Sequence, residues 1–280
     1  MTELRRDPET ATALARLYDV DLLDDPGDID LYVALAARTG GPILELAAGS
    51  GRIAMPLVQA GYEVTAVDID PAMLARLRDR LAATVTATAT ATATGQPNVS
   101  GRLHPVEADL IGLKLAGDPQ FGLAILGLNS ILLLDSREKQ RAAIETMARH
   151  LAPGGVAVVD VWLPAADELA RYDGRLSLEY VRIDPETHLV VTKTASAEHE
   201  PTRGRVDLTA IYDEGEQGGP IRRWVRHDRL RLLSPDELSD MAEDAGLIVE
   251  VLAGSYDLEP LVNHDERVIL IARRRGRTRP

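Results

Sequence analysis

The stretch Ile43-Leu44-Glu45-Leu46-Ala47-Ala48-Gly49-Ser50-Gly51-Arg52-Ile53-Ala54 decides the fold. Four residues of strand-forming character run into a small-residue turn, and Gly49-Ser50-Gly51-Arg52-Ile53-Ala54 fits the pattern G-x-G-x-x-G/A. A helix reading follows over Arg52 to Ala60, closed by Gly61, and then a second strand from Glu63 to Val67. This strand–glycine turn–helix–strand order is the generic nucleotide-binding βαβ unit, in which glycines let a ligand approach the backbone closely. Asp68 ends the second strand, where a carboxylate can accept hydrogen bonds from ribose hydroxyls.

Working outward, the alternation continues. Asp70-Pro71 is an N-cap and N1 pair, and the helix it opens carries Met73, Leu74, Leu77 and Leu81 at helical spacing. Strands are expected at Leu103–Ala108, Leu123–Leu128 and Val156–Val161, with a helix over Ser136–Leu151. Such βαβα alternation predicts a Rossmann-like, doubly wound α/β sheet of seven strands, mostly parallel, with the last strand antiparallel. Residues 42–162 and 233–272 make up this domain, the second piece entered by a Ser234–Glu237 capping box. Residues 1–41 read as an N-terminal helical lid, with Asp28 as an N-cap. Between 163 and 232 the texture changes to four runs separated by short turns, Leu176–Ile183, Leu189–Ala197, Arg205–Tyr212 and Ile221–Leu232, which predicts an antiparallel β cap on the acceptor side. Residues 84–100, which include the run Thr-Val-Thr-Ala-Thr-Ala-Thr-Ala-Thr-Ala-Thr, offer little apolar area and read as a low-complexity surface loop. Residues 273–280 read as a frayed basic tail.

Composition narrows the function classes. The 280 residues hold no cysteine, which removes disulfide scaffolds, cysteine-ligated metals and thiol nucleophiles. A net charge of −13 repels phosphate backbones and disfavours nucleic acid as a partner. No segment is apolar enough for a signal peptide or a bilayer span, so a cytoplasmic protein without a membrane partner is expected. No His and acid pair stands at metal-ligand spacing, so no metal is expected. A homodimer is left open.

The glycine turn suits two ligand classes, dinucleotides and S-adenosylmethionine. Glu45 separates them. A pyrophosphate at the helix N-terminus would be repelled by that carboxylate, whereas an ammonium and a sulfonium are attracted by it. Asp109, ending the third strand, adds a third acid suited to an adenine amino group. A nicotinamide oxidoreductase is disfavoured on the same ground.

These residues resemble the motifs of class I S-adenosylmethionine-dependent methyltransferases. Ile43 to Arg52 is similar to the family's E-x-G-x-G-x-G motif, with Ala47 where the first glycine usually stands. Val67-Asp68-Ile69-Asp70-Pro71-Ala72-Met73-Leu74, Glu107-Ala108-Asp109-Leu110 and Leu151-Ala152-Pro153-Gly154-Gly155 resemble the segments after it. The resemblance implies that Glu45, Ala47, Gly49, Gly51 and Arg52 face the methionine part. It places Asp68 on the ribose, Ile69 on the adenine face, Asp109 and Leu110 at the adenine edge, and Leu128 near the methyl-donor end. It implies S-adenosylmethionine as cofactor and S-adenosylhomocysteine as product. The antiparallel excursion resembles that of actinobacterial natural-product N-methyltransferases, which implies an amine of a small molecule or peptide as acceptor, in secondary metabolism. An O-methyltransferase and a non-methylating protein of the same fold remain alternatives. Acceptor-side candidates are Tyr18, Asn129, Trp162, Tyr172 and His227, with no catalytic base assigned.

Overall fold

The computed structural model describes residues 7–90 and 101–276. They divide into two compact units: one contains Gly27–Leu163 and the chain from Leu233, the other the chain before Gly27 together with Pro164–Leu232.

The larger unit opens with α2 (Ile29–Thr39), which follows α1 (Pro8–Asp21) of the other unit. Then come β1 (Ile43–Leu46), α3 (Ala54–Gln59), β2 (Val64–Asp68), α4 (Pro71–Thr90), β3 (Leu103–Glu107), β4 (Phe121–Leu126), α5 (Arg137–His150) and β5 (Leu151–Trp162). After the smaller unit the chain returns through α7 (Pro235–Asp244), β10 (Leu247–Ala253) and β11 (Arg267–Arg274). The sheet order is β10-β11-β5-β4-β1-β2-β3. β1 pairs in parallel with β2 and β4, and β11 runs antiparallel to both β5 and β10. The seven-strand doubly wound reading therefore holds, including the reversed last strand. All four residues of β1 are buried, as expected for a central parallel strand covered on both faces. The capping box at α7 is formed: Ser234 accepts from Glu237 N, and Glu237 reaches back to Ser234 N.

The smaller unit holds α1, α6 (Ala166–Leu169) and four strands of eleven residues each: β6 (Asp173–Ile183), β7 (Val190–Glu200), β8 (Arg205–Gly215) and β9 (Ile221–Arg231). They form an antiparallel sheet in chain order. Leu14, Leu17 and Val20 of α1 pack with Val191 and Tyr212. Three expectations are corrected here. The N-terminal residues do not make one piece, since α1 goes with the four-stranded sheet and α2 with the seven-stranded one. The threonine–alanine run is not a loop from residue 84, because α4 continues to Thr90. Alanine is the best helix former, and the Thr84 and Thr86 hydroxyls bond back to the Arg80 and Ala82 carbonyls at 2.9 Å each. Residues 91–100 lie outside the described residues. Nor is the tail free from 273: Arg273 and Arg274 belong to β11, with Arg273 on Glu250 at 2.6 Å and Arg274 donating to the Arg149 carbonyl at 3.1 Å. Residues 277–280 lie outside the described residues.

Charge is buried inside the smaller unit. Arg16 of α1 pairs with Asp184 in the β6–β7 turn and with Glu214 of β8. All three are buried. Glu214 also accepts from Trp224 Nε1 at 2.8 Å. Asp21, at the C-terminal end of α1 where the helix dipole disfavours an acid, is offset by the Tyr180 and Tyr212 hydroxyls at 2.6 and 2.7 Å and by Lys193 at 3.2 Å. An Arg16→Met substitution leaves two buried acids without their cation. We expect it to lower the unfolding free energy by about 3–5 kcal/mol, read by urea denaturation with Trp224 fluorescence as the local probe.

Candidate functional site

The site lies in the larger unit, at the carboxyl ends of β1, β2, β4 and β5, where ligands bind in open α/β sheets. Leaving β1, the chain turns through three left-handed residues, Ala47 (φ 53°), Gly49 (φ 55°) and Gly51 (φ 83°). Ala47 thus takes a glycine-like conformation at a cost of about 1–2 kcal/mol. Strain of this kind persists where the surroundings fix it, and it concentrates at ligand-binding turns. Gly51 is required for a second reason: a Cβ there would stand 2.0 Å from Leu77 Cδ1, in the packed layer between the loop and α4.

Asp68 holds the turn. Its Oδ2 accepts from Gly49 N at 2.7 Å and its Oδ1 from Asp70 N at 2.8 Å. One carboxylate at the end of β2 therefore ties the glycine turn to the start of α4. Each oxygen keeps a further lone pair for a hydroxyl donor. Burial raises the Asp68 pKa against the lowering effect of these N–H donors. Ile69, next along, is 59% exposed, an apolar surface beside a carboxylate. Asp109 is exposed and accepts from Ile111 N at 2.8 Å, and Leu110 is half-buried beside it.

Glu45 is buried under the turn, and its Oε2 has no hydrogen-bond partner among the described residues. Burial pushes its pKa up to about 8, with Asp68 and Asp28 adding to the rise and Arg52 opposing it. An unmatched buried acid beneath a ligand-binding turn suits a cationic group. This fits S-adenosylmethionine and disfavours pyrophosphate.

Arg52 donates from Nη1 and Nη2 to the two carboxylate oxygens of Asp28 at 2.6 and 2.5 Å. Asp28 was expected as the N-cap of α2. Its side chain makes no cap bond and is instead fully buried on Arg52, a stronger bidentate contact than a cap offers. At the end of β4, Leu128 (φ 46°) and Asn129 (φ 62°) are both left-handed. Asn129 N donates to the Asp160 carbonyl at 3.1 Å, and Asn129 Oδ1 accepts from Trp162 N at 2.5 Å. So Asn129 and Trp162 are brought together, by a backbone-to-side-chain bond that joins β4 to β5.

Behind them lies a group that sequence reasoning missed. Asp160, buried in β5, accepts from Tyr256 Oη at 2.7 Å and Arg267 Nη1 at 2.6 Å. Tyr32 of α2 is fully buried, and its hydroxyl has no partner among the described residues. A Cβ on Gly127 would lie 2.8 Å from that hydroxyl. The available signal was Asp160 itself, an acid inside the apolar run Val156-Ala157-Val158-Val159-Asp160-Val161. The other acceptor-side candidates belong to the smaller unit. Tyr18 lies in α1, Tyr172 donates to Glu168 Oε1 at 2.6 Å, and His227 of β9 pairs with Thr209 at 3.0 Å.

Because folding raises the Glu45 pKa, its contribution is fully present below the unfolded value near 4.5 and is lost as pH rises toward 8. Glu45→Gln is therefore expected to gain stability over the parent by up to about 1.4 kcal/mol per pH unit between those limits, and to hold a constant margin above them. Thermal unfolding measured across that pH range checks it. A margin independent of pH would show Glu45 to be ionised throughout.

Residues 43–155 match a methyltransferase-domain family model. The chain is 28% identical over 241 residues to the cypemycin N-terminal methyltransferase of a Streptomyces species, covering 84% of each. It is 25% identical over 234 residues to the dTDP-3-amino-3,4,6-trideoxy-alpha-D-glucopyranose N,N-dimethyltransferase of Streptomyces venezuelae, covering 84% of this chain and 86% of that one. Among solved structures it is similar to the CcbJ methyltransferase of Streptomyces caelestis, with a TM-score of 0.72, 25% identity, and coverage of 91% and 96%. The matched segment opens on the very strand that carries Glu45 into the strained turn, so sequence match and site geometry coincide: residues 43–155 form a methyltransferase domain, and the chain is an S-adenosylmethionine-dependent methyltransferase.

Proposed function

We propose that this methyltransferase acts on an amine of a small-molecule or peptide acceptor in secondary metabolism. The observation that carries the reading is similarity along most of the chain to two enzymes named for N-methylation, one of a peptide terminus and one of an amino sugar. The cofactor, when bound, supplies an electrophilic methyl on a sulfonium. The chain's work is then to bind and orient. Glu45 neutralises positive charge beneath the turn. The backbone of Ala47, Gly49 and Gly51 admits the methionine part closely, with Arg52 held beside it by Asp28. Asp68 accepts the ribose hydroxyls with the lone pairs its two backbone donors leave. Ile69 covers one adenine face, Asp109 and Leu110 meet the adenine edge, and Leu128 borders the methyl-donor end.

A neutral amine attacks in line and needs no base in the transfer itself, only positioning within about 3–3.5 Å. A hydroxyl acceptor needs a base within hydrogen-bond reach. Asn129, at the reactive end of β4, has its carbonyl oxygen engaged by Trp162 N, and His227 meets the Thr209 hydroxyl through Nδ1. Trp162, at the end of β5 in the larger unit, offers apolar surface for acceptor contact. Work in the cytoplasm fits a cofactor made there.

Calorimetric titration with S-adenosylmethionine tests the cofactor roles. Asp68→Ala removes two charge-assisted bonds that shape the turn, and is expected to weaken binding by at least about tenfold. Unchanged affinity would remove Asp68 from the site. Screening amino sugars, amino acids and peptide amines beside hydroxylated analogues tests the acceptor class. Methylation of the hydroxyl series alone would overturn the amine reading.

A further inference from the structure

β5 carries an acid where the fold asks for none. Val156 and Val158 pack in the core cluster that includes α2, and period-two alternation puts Asp160 on the same face. A valine there would continue the apolar layer. A buried carboxylate gives up its hydration and needs partners in return. Asp160 has them. Its Oδ1 accepts from Arg267 Nη1 at 2.6 Å and its Oδ2 from Tyr256 Oη at 2.7 Å. The Arg267 guanidinium also bonds the Tyr256 hydroxyl and lies 4.4 Å from the centre of that ring. The Asp160 side chain is thus fixed from β11 and from the segment that follows β10.

The backbone of Asp160 holds a strained neighbour. Its carbonyl accepts from Asn129 N at 3.1 Å, and Trp162, two residues on, donates its N–H to Asn129 Oδ1 at 2.5 Å. Leu128 and Asn129 are successive left-handed residues, and neither is glycine. Such a conformation persists only where the surroundings over-determine it. Arg267 stands opposite Trp162 in the β5–β11 ladder, so one arginine braces both residues of β5 that hold the turn. From the other side Tyr32 and Ile53 close on Gly127, where a Cβ would stand 2.8 Å from Tyr32 Oη and 2.9 Å from Ile53 Cδ1. All of these residues belong to the larger unit.

We propose that Asp160 is a positioning residue for methyl transfer: with Arg267 and Tyr256 it sets the Leu128–Asn129 turn against the methyl group of the bound cofactor. The inference rests on the reading above that Leu128 borders the methyl-donor end. The Asp160 side chain is 1% exposed and acts through the turn. A turn held in one conformation before the ligand arrives meets the donor group without paying to become ordered, which is how positioning lowers a barrier.

The methyl group and the charge it brings to sulfur are all that distinguish S-adenosylmethionine from S-adenosylhomocysteine. The ratio of their dissociation constants, measured by calorimetry on the full chain, therefore reads the turn without any acceptor. Asp160→Asn keeps the side-chain shape but turns an N–H₂ toward one of its two donors. It is expected to weaken S-adenosylmethionine by at least about fivefold, the size of one lost hydrogen bond, while S-adenosylhomocysteine stays within about twofold. Tyr256→Phe changes no charge and is expected to move the ratio in the same direction. Equal weakening of both ligands, or no change in either, makes Asp160 framework alone and overturns the proposal. A ratio moved by Asp160→Asn but not by Tyr256→Phe makes the effect one of charge on the sulfonium and also overturns it. Asn129→Gly separates the proposal from the reading beneath it, because glycine keeps the left-handed turn and loses only the bond to Trp162 N. If Asn129→Gly moves the ratio and Asp160→Asn does not, the turn borders the donor methyl and the role of Asp160 is refuted. If neither moves it, the turn lies away from the donor end, and the reading and the proposal fall together.

Discussion

The backbone N–H groups of Gly49 and Asp70 converge on one side chain, the Asp68 carboxylate, and the geometry of the site depends on that convergence. Without it the glycine turn, with Ala47 in a costly left-handed conformation, would keep the Ala48 N bond to the Val67 carbonyl at 3.0 Å but lose its polar tie to the start of α4. With it, the ends of β1 and β2 and the start of α4 share one acceptor. The glycine turn is close to the helix as well, because Gly51 leaves room for Leu77 where any other residue would intrude. A ligand-binding turn that must stay in one conformation before its ligand arrives needs both constraints, one polar and one steric.

Buried charge recurs in both units, and each instance has its own compensation. Arg52 lies on Asp28, Asp160 lies under Tyr256 and Arg267, and Arg16 lies between Asp184 and Glu214. Glu45 is the exception: Arg52 is near enough to oppose its rise in pKa, yet one oxygen has no bond. A protein interior tolerates such a group poorly unless it is neutral or a cation supplies the missing contact. The contrast between the satisfied acids and this one supports reading Glu45 as a ligand-facing group and the others as framework.

The smaller unit shows how a doubly wound domain accepts a long insertion. The chain leaves at the end of β5, makes four antiparallel strands, and returns through α7, whose capping box restarts the helix cleanly. β10 and β11 then complete the sheet beside β5, with β11 reversed. Neither the order nor the direction of the parallel strands is disturbed, because the insertion falls at a strand end and not within a pairing ladder. The same unit draws α1 from the start of the chain, so its core joins residues far apart in sequence.

Much of this was legible in the residues alone. The alternation of strands and helices, the glycine turn, the acids at strand ends and the four hairpin-forming runs are local patterns. Each is set by side-chain period, turn chemistry and capping within a few residues, and so survives without knowledge of the rest. The tertiary structure decided what depends on distant partners. Arg16 and Asp184 are 168 residues apart, Asp160 and Arg267 are 107 apart, and only the topology brings them together. Asp28 read locally as a cap and became the partner of Arg52 for the same reason. The threonine–alanine run read as a loop from its low apolar area, yet helix propensity and hydroxyl-to-carbonyl bonds carry α4 through it to Thr90. Local period determines which elements form. Pairing of buried charges is a property of the packed chain, because its energy exists only once water has been excluded.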